Sequence, residues 1–343
     1  MFIRFCNFEV QKMVKMKLYT VVFLLLALMA SSCNAGSKNK KADNVSARQS
    51  IATIEFNADS AYNFVEKQVD FGPRVPGSEG HQQCAGWLVD KLSLYGADTI
   101  IEQKTIVTAF NGDKLPINNI FAQFNKIAQK RILLLAHWDT RPWADAEKDK
   151  SKHNIPIPGA NDGGSGVGVL LEIARCLGEK QPTIGVDILF TDAEDYGASG
   201  GDDKSWCLGT QYWVKNMPYE VEQLPIYGIL LDIVGGIDAK FHREYFSERF
   251  ASRINDKVWA MANASGYSSR FINRTEGAVT DDHYHISMAG IPCIDIIECA
   301  NPMTGSFPPT WHTLKDDMNS IDRNSLKAVG QTVLNTIYNE QAQ

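Results

Sequence analysis

Histidine and acidic side chains occur in six short groups along the sequence, next to apolar stretches of strand or helix length. Imidazole and carboxylate groups around an open position are the ligands of a catalytic zinc, and a free carboxylate beside them can transfer protons. The six groups are His137-Trp138-Asp139, Asn161-Asp162, Asp192-Ala193-Glu194-Asp195, Asp232, Asp281-Asp282-His283 and Trp311-His312. Taken singly they have simpler explanations, since an Asp before a helix is commonly an N-cap. Brought together by the fold, they indicate a metal-assisted reaction.

The predicted secondary structure places these groups at one edge of a sheet. Short, continuously apolar stretches alternate with helical patterns, which is typical of a buried, mainly parallel sheet covered by helices. Loops at the carboxyl ends of such strands form the ligand site. The predicted strands are 117–124, 131–136, 186–191, 226–234 and 291–297, and the predicted helices are 59–69, 79–95, 164–177, 208–216, 248–264 and 323–339. We therefore expect one α/β domain over 51–343, an αβα arrangement whose twisted sheet is mixed but mainly parallel.

The composition is that of an ordinary globular protein. The 343 residues are 44% hydrophobic and 22% charged, with a formal net charge of -6, which argues against disorder. An acidic chain has no general attraction for phosphate backbones, so we expect no nucleic-acid partner. The five cysteines that follow Cys33 are an odd number without CxxC spacing. Neither a thiolate metal site nor a full disulfide framework is expected from them.

The N-terminal stretch is typical of an export signal. Basic residues precede an apolar stretch over 18–30 that is too short to span a bilayer comfortably. It ends in Ala30-Ser31-Ser32-Cys33, small residues before a cysteine that resemble a bacterial lipobox. We expect residues 1–32 to be a signal peptide, Cys33 to carry lipid and residues 33–50 to form a polar tether.

Two destinations follow from this signal. The favoured one is an exported, membrane-anchored lipoprotein on the periplasmic or cell-surface side, which touches the membrane only through its anchor. The alternative is cleavage near Cys33 that releases a free periplasmic or secreted protein.

An ordered set of motifs over residues 55–340 resembles the zinc-dependent glutaminyl cyclases of animal type, which share their fold with the co-catalytic zinc aminopeptidases. Besides the groups given above, the set includes Phe71-Gly72-Pro73-Arg74 and Leu231-Asp232. Enzymes of this type convert an N-terminal glutamine into pyroglutamate and release ammonia. The resemblance implies one zinc ion per chain and N-terminal Gln peptides or proteins as substrates, and we expect a monomer.

The resemblance also implies which residues hold and use the metal. The zinc ligands fall on Asp162, Asp195 and His312, and the general acid/base falls on Glu194. The animal enzymes have two glutamates where this chain has Glu194-Asp195. Because Asp is one methylene shorter, the loop must bring this ligand closer to the metal.

Four further site residues are implied. Two catalytic carboxylates of an active-site hydrogen-bond network fall on Asp232 and Asp281, and the substrate-binding tryptophans fall on Trp311 and Trp206. The simpler interpretation of the two carboxylates is one metal ligand and one group that stabilises a loop.

Cyclisation suits this set of residue types. The α-amine of the substrate attacks its own γ-amide carbon, so the protein needs no attacking side chain, only a folded substrate, a polarised carbonyl and proton transfer. Zinc would polarise the γ-carbonyl oxygen. Glu194 would take a proton from the amine and return one to the leaving nitrogen.

A di-zinc aminopeptidase is the alternative, because every position that it needs is present. His137 and Asp232 would complete a second metal site with a bridging Asp162, and the acid/base glutamate would activate water. Trp311 beside His312 favours the cyclase, since a bulky indole narrows the pocket around a small N-terminal side chain. An intact acid/base and intact ligands disfavour a third reading, a lipid-anchored binding protein without activity.

Lipid attachment to Cys33 can be tested directly. We expect cells supplied with a labelled fatty-acid analogue to label the protein, since small residues precede this cysteine after a basic and apolar segment. The Cys33→Ser variant is the control and should stay unlabelled. A wild-type protein without label would show the assignment to be wrong.

Overall fold

Continuously apolar stretches form the centre of a six-stranded sheet in the computed structural model, which describes residues 54–220 and 223–340. The strands are β1 (Thr99–Thr108), β2 (Lys114–Phe124), β3 (Arg131–His137), β4 (Gly185–Thr191), β5 (Gly228–Leu231), β6 (Phe241–Arg243), β7 (Phe271–Thr275) and β8 (Cys293–Ile296). The main sheet has the order β1-β2-β4-β3-β5-β8, in which β4, β3, β5 and β8 are parallel. β1 and β2 add an antiparallel edge, and β6 and β7 pair separately. The predicted mixed, mainly parallel sheet is confirmed.

Helices cover both faces of this sheet. They are α1 (Ala58–Asp70), α2 (Glu79–Leu94), α3 (Gly164–Glu179), α4 (Leu208–Trp213), α5 (Tyr245–Ala264), α6 (Asp282–Met288) and α7 (Arg323–Asn339). Neighbouring side chains of β3 enter two different hydrophobic cores, as the alternation of a strand requires. Ile132 packs in the core that α1, α3, α5 and α7 share, whereas Leu133 packs with Trp213 of α4 and Ile286 of α6. This is the expected αβα arrangement.

Several elements differ from the sequence prediction. β1 was not predicted, because it is an edge strand whose side chains are partly or fully exposed along its length and whose sequence has no continuous apolar stretch. Helix α6 was also missed; it is a single short element that begins at Asp282 and ends before the next strand. β5 is shorter than the predicted 226–234, since the chain leaves the ladder after Leu231.

A glycine lets α3 approach the end of β5. A Cβ atom at Gly166 would lie 2.0 Å from the carbonyl oxygen of Leu231, a separation that no real side chain tolerates. The small residues at the start of α3 therefore allow the loop before this helix to lie beside the carboxyl end of β5. The same close approach brings Asp162 next to Asp232, which follows Leu231 directly.

The described residues belong to one compact unit. Within them, no helix combines the length and apolar character needed to cross a bilayer. The expected signal peptide (1–32), the tether (33–50) and the lipid site Cys33 lie outside the described residues.

Candidate active site

Three parallel strands end side by side and present the candidate residues at their carboxyl ends. β3 ends at His137, which is paired with Thr191 at the end of β4, and β5 ends just before Asp232. The loop before α3 brings Asp162 to the same edge, 3.2 Å from the His137 ring. This edge of the sheet therefore collects imidazoles and carboxylates from separate parts of the chain.

Asp162, Asp195 and His312 meet at this edge and are called the ligand cluster below. One potential ligand atom from each lies within 4.8 Å of the other two. His312 Nε2 is 3.1 Å from Asp195 Oδ1 and 3.6 Å from Asp162 Oδ2. All three residues are buried.

The ligand cluster fits a zinc ion. Asp162 Oδ2 and Asp195 Oδ2 are buried and accept no hydrogen bond from the described residues. Such oxygens are costly to bury unless a cation compensates them. Two carboxylates and one imidazole are common zinc ligands and leave a position open for substrate. A bound zinc would be held by these three side chains, and their role stays a prediction.

A second group shares Asp162 with the ligand cluster. His137 Nε2 lies 3.2 Å from Asp162 Oδ1 and 3.2 Å from Asp232 Oδ1, and the three residues could also surround a metal. Asp232 Oδ1 additionally accepts a long hydrogen bond from the Gly163 amide, at 3.4 Å. Burial alone would lower the pKa of His137, but the Asp139, Asp162 and Asp232 carboxylates raise it well above its usual value. The imidazole can therefore act as the cation between the two carboxylates.

Asp145 contacts the predicted ligand His312 at its second ring nitrogen, and sequence reasoning missed it. Its Oδ1 lies 3.3 Å from His312 Nδ1, and its two oxygens accept hydrogen bonds from Arg141 at 2.9 and 2.7 Å. Burial alone would lower the pKa of His312, but the Asp195 and Asp145 carboxylates raise it to about 9. The metal-free imidazole is therefore protonated at neutral pH, and metal binding must release that proton.

Two buried aspartates hold the backbone of the site. Asp139 accepts the amides of Glu194 at 3.1 Å and Asp195 at 3.2 Å. Asp316 accepts the amides of Asn161 at 2.9 Å and Asp162 at 3.0 Å. The sequence analysis noted Asp139 in the motif His137-Trp138-Asp139 but gave it no role. Asp316 had no sequence signal beyond its closeness to His312.

Glu194 and Asp195 point into different groups. Ala193, just before them, has a φ of +49°, a left-handed conformation that turns the chain sharply at the end of β4. The carboxylate of Asp195 joins the ligand cluster, whereas that of Glu194 lies within 4.8 Å of potential ligand atoms of Cys207 and Asp281. Asp195 therefore lies where a metal could bind, whereas the carboxyl group of Glu194 is left free for proton transfer.

Glu194 and Asp281 hold a proton more readily than ordinary carboxyl groups. Burial, followed by the charge of Asp281, raises the pKa of Glu194 well above its usual value. Burial, followed by the charges of Asp232 and Asp282, does the same for the pKa of Asp281. Two such carboxyls cannot easily both be ionised. Asp281 also accepts the backbone amide of Asp282 as the N-cap of α6, so the loop-stabilising role is present as well.

Two indoles border the cavity that leads to the ligand cluster. The cavity has a volume of about 420 Å³, and Trp206 and Trp311 both line it together with Glu194, Asp232 and Asp281. The Trp311 ring is stacked on His312 with 3.5 Å between centroids, and Trp206 lies 6.1 Å from the same imidazole and nearly parallel to it. A larger cavity of about 670 Å³ beside α2 and β1 contains none of these residues.

The structure thus brings all the candidate residues in its described range into one site. These comprise the ligand cluster, the two candidates for a second metal and the residues lining the cavity. They are Asp162, Asp195, His312, His137, Asp232, Glu194, Asp281, Trp206 and Trp311.

The fold and site define a class of protein. The model of peptidase family M28 matches residues 119–337, more than half of the chain. The chain belongs to this family, and its αβα fold is that of zinc exopeptidases.

Individual relatives point to a branch of this class. A glutaminyl cyclase from Bacteroides thetaiotaomicron, solved with N-acetylhistamine bound, is 50% identical, with a TM-score of 0.81; the match covers 84% of this chain and 99% of that one. A Zn-dependent exopeptidase from Parabacteroides distasonis is 51% identical, with a TM-score of 0.81, over 84% of this chain and 100% of that one. The glutaminyl-peptide cyclotransferase of Bos taurus is 22% identical over 284 residues, 74% of each chain. The resemblance to zinc-dependent glutaminyl cyclases is confirmed.

Removing the Asp145 carboxylate, which contacts Nδ1 of His312, should weaken metal binding. We expect Asp145→Ala to lower zinc affinity roughly 10- to 100-fold, because such a partner orients the ligand imidazole and raises its basicity. Competition with a zinc chelator measures the affinity. The control is Asp149→Ala, which removes an exposed carboxylate whose hydrogen bonds are to Ser151. Equal zinc affinity in the Asp145 and Asp149 variants would contradict the supporting role.

Proposed function

We infer that this protein is a glutaminyl-peptide cyclotransferase, an acyltransferase that converts N-terminal glutamine to pyroglutamate and releases ammonia. The observation that carries this inference is 50% identity with a glutaminyl cyclase over 99% of that enzyme. The geometry agrees, since Trp311 is stacked on the ligand His312 at the wall of the cavity. A cavity narrowed by indoles suits a small, folded glutamine side chain and excludes bulk water from it.

The side chains of the site divide the work of the reaction. The ligand cluster would hold a zinc ion, which would supply Lewis-acid polarisation of a carbonyl oxygen. Glu194 lies beside this cluster with a raised pKa, which suits a group that must both accept and donate a proton near neutral pH. It takes a proton from the substrate α-amine as the amine attacks the γ-amide carbon. It then returns a proton to the nitrogen that leaves as ammonia.

Asp281 and Asp232 complete the proton-handling side of the cavity. Asp281 lies next to Glu194 and also holds a proton readily, so the two carboxyls can share one. Asp232 faces Asp281 from the end of β5, and its charge helps to keep Asp281 protonated. A protonated Asp281 can donate a hydrogen bond to the departing nitrogen.

We propose a single zinc ion per chain, because the buried carboxylates of the two groups differ in whether they have hydrogen-bond partners. The ligand cluster leaves two buried carboxylate oxygens without a donor among the described residues, Asp162 Oδ2 and Asp195 Oδ2. In the second group, Asp232 is already within hydrogen-bond distance of His137 and the Gly163 amide. The ligand positions for a di-zinc aminopeptidase are nevertheless present, so metal content is part of the test.

Product analysis tests the activity. The purified protein should convert Gln-peptides to products that have lost ammonia and should leave Leu-peptides intact. Chelation should abolish turnover, and zinc should restore it at one equivalent per chain. Release of a free amino acid from the Leu-peptides, together with two zinc ions per chain, would instead identify an aminopeptidase.

The adjacent acids should respond differently to substitution. Glu194→Gln keeps the shape but cannot accept a proton, so we expect turnover to fall by about two to four orders of magnitude with zinc content near that of the wild type. Asp195→Ala should lower zinc occupancy as well as turnover, because its carboxylate belongs to the ligand cluster. Loss of zinc in Glu194→Gln, or normal zinc and turnover in Asp195→Ala, would reverse the assignment of roles.

Export and lipid anchoring are proposed for the same enzyme. The basic and apolar segment that ends at Cys33 supports a lipoprotein held on the periplasmic or cell-surface side. A monomer is proposed as well. Its substrates would then be exported peptides or proteins. The fatty-acid labelling described above tests the anchor, and light scattering on the protein without residues 1–32 tests the monomer.

A further inference from the structure

Cys207 contacts the acid/base Glu194 in two places. Its backbone amide donates a hydrogen bond to the carbonyl oxygen of Glu194 at 2.9 Å. Its Sγ lies 3.3 Å from Oε1 of the same residue, with the geometry of a thiol that donates to the carboxyl group. Both the main chain and the reactive end of Glu194 are therefore held by one neighbour.

The segment 207–209 is hydrogen-bonded to the acidic loop, residues 192–195. Three consecutive amides, those of Cys207, Leu208 and Gly209, donate to the carbonyl oxygens of Glu194, Ala193 and Asp192 at 2.9, 3.0 and 3.0 Å. Cys207 itself has a φ of +55°, a left-handed conformation that a residue with a Cβ adopts only at a cost. The surrounding hydrogen bonds hold the residue in this conformation.

The Cys207 thiol is buried in surroundings that favour its protonated, hydrogen-bond-donating form. Cys207 is fully buried. Burial, followed by the charge of Glu194, raises the pKa of the Cys207 thiol well above its ordinary value, so the group keeps its proton. Among the described residues, no other side chain donates a hydrogen bond to the Glu194 carboxyl group. Within the described part of the chain, the Cys207 thiol is thus the side-chain donor that can orient the Glu194 carboxyl group.

We propose that Cys207 is a positioning residue that holds the Glu194 carboxyl group in its reactive orientation toward the substrate. This inference rests on the proposed cyclase function. A glutamate side chain has several freely rotating bonds, and a proton acceptor works only when it lies within hydrogen-bond reach of the proton. Without the thiol, Glu194 spends less time in that orientation. The loss affects proton transfer and leaves substrate binding largely unchanged.

Variants at this position separate positioning from packing. We expect Cys207→Ala to lower kcat roughly tenfold, since small misplacements of reacting groups have effects of this order, with KM unchanged within about twofold. Cys207→Ser places a hydroxyl donor at the same atom and should restore most of kcat. Cys207→Gly removes the thiol and also relieves the left-handed backbone, so it should fold well and still be slow.

Cys176→Ala is a matched control. Cys176 is also buried, and its Sγ lies 3.6 Å from Oε1 of Glu172 on helix α3. The variant therefore removes a similar thiol–carboxylate contact at a glutamate outside the active site. We expect its kcat and KM to match the wild type, whatever its unfolding temperature.

The outcomes distinguish this inference from the proposed function. A wild-type kcat in Cys207→Ala and Cys207→Gly, with an active wild-type cyclase, would overturn the positioning role alone. A serine variant as slow as the alanine variant would do the same, because it would assign the loss to packing. A wild-type protein that releases no ammonia from Gln-peptides would overturn the proposed function and the inference together.

Discussion

Negative charge buried at one edge of the sheet is the constraint on which the rest of the structure depends. The carboxyl groups of Asp162, Asp195, Asp232 and Asp281 are all buried there. Removing carboxylates from water is costly unless cations, hydrogen-bond donors or retained protons compensate for it. The site uses all three means: His137 lies between two carboxylates, backbone amides donate to Asp139 and Asp316, and burial with the charges of Asp232 and Asp282 raises the pKa of Asp281, which favours its protonated form. The unpaired oxygens that are left define where a metal cation fits.

Local strain positions these groups. Four residues other than glycine have left-handed backbone conformations at the site, each beside or within a functional motif: Ala193, Cys207, Ile233 and His312. Such conformations are costly and persist where the surroundings impose them. At Ala193 and Cys207 the amides of Glu194 and Asp195 donate hydrogen bonds to Asp139, and the amides of the segment 207–209 donate to the carbonyl oxygens of residues 192–194. The strain turns the adjacent side chains of Glu194 and Asp195 toward different partners, which is the arrangement that the proposed division between metal binding and proton transfer requires.

The family and the activity depend on different parts of the molecule. Membership of peptidase family M28 rests on residues 119–337, which contain the four parallel strands of the sheet and the predicted metal ligands at their carboxyl ends. The same edge can serve hydrolysis or cyclisation, because a fold does not decide the chemistry that its site performs. The cavity is what favours the glutaminyl cyclase, since Trp206 and Trp311 surround the imidazole of His312 and leave a narrow space.

The sequence alone determined the fold class, the parallel strands and the motifs at their ends. Fully buried strands are continuously apolar, so β3 and β4 were visible in the pattern, and strand ends in such sheets meet at one edge. The edge strand β1 was not visible, because a half-exposed strand lacks that signal.

Only the tertiary structure decided how the site is supported. Asp145 lies 167 residues before His312, and Cys207 and Glu194 are brought together by an irregular loop. The periodicity of the sequence does not predict such contacts, because they depend on loop conformations that long-range hydrogen bonds impose. A sequence pattern identifies side chains that can bind metal or move protons, whereas the distances and hydrogen bonds that make them do so arise only when the chain is folded.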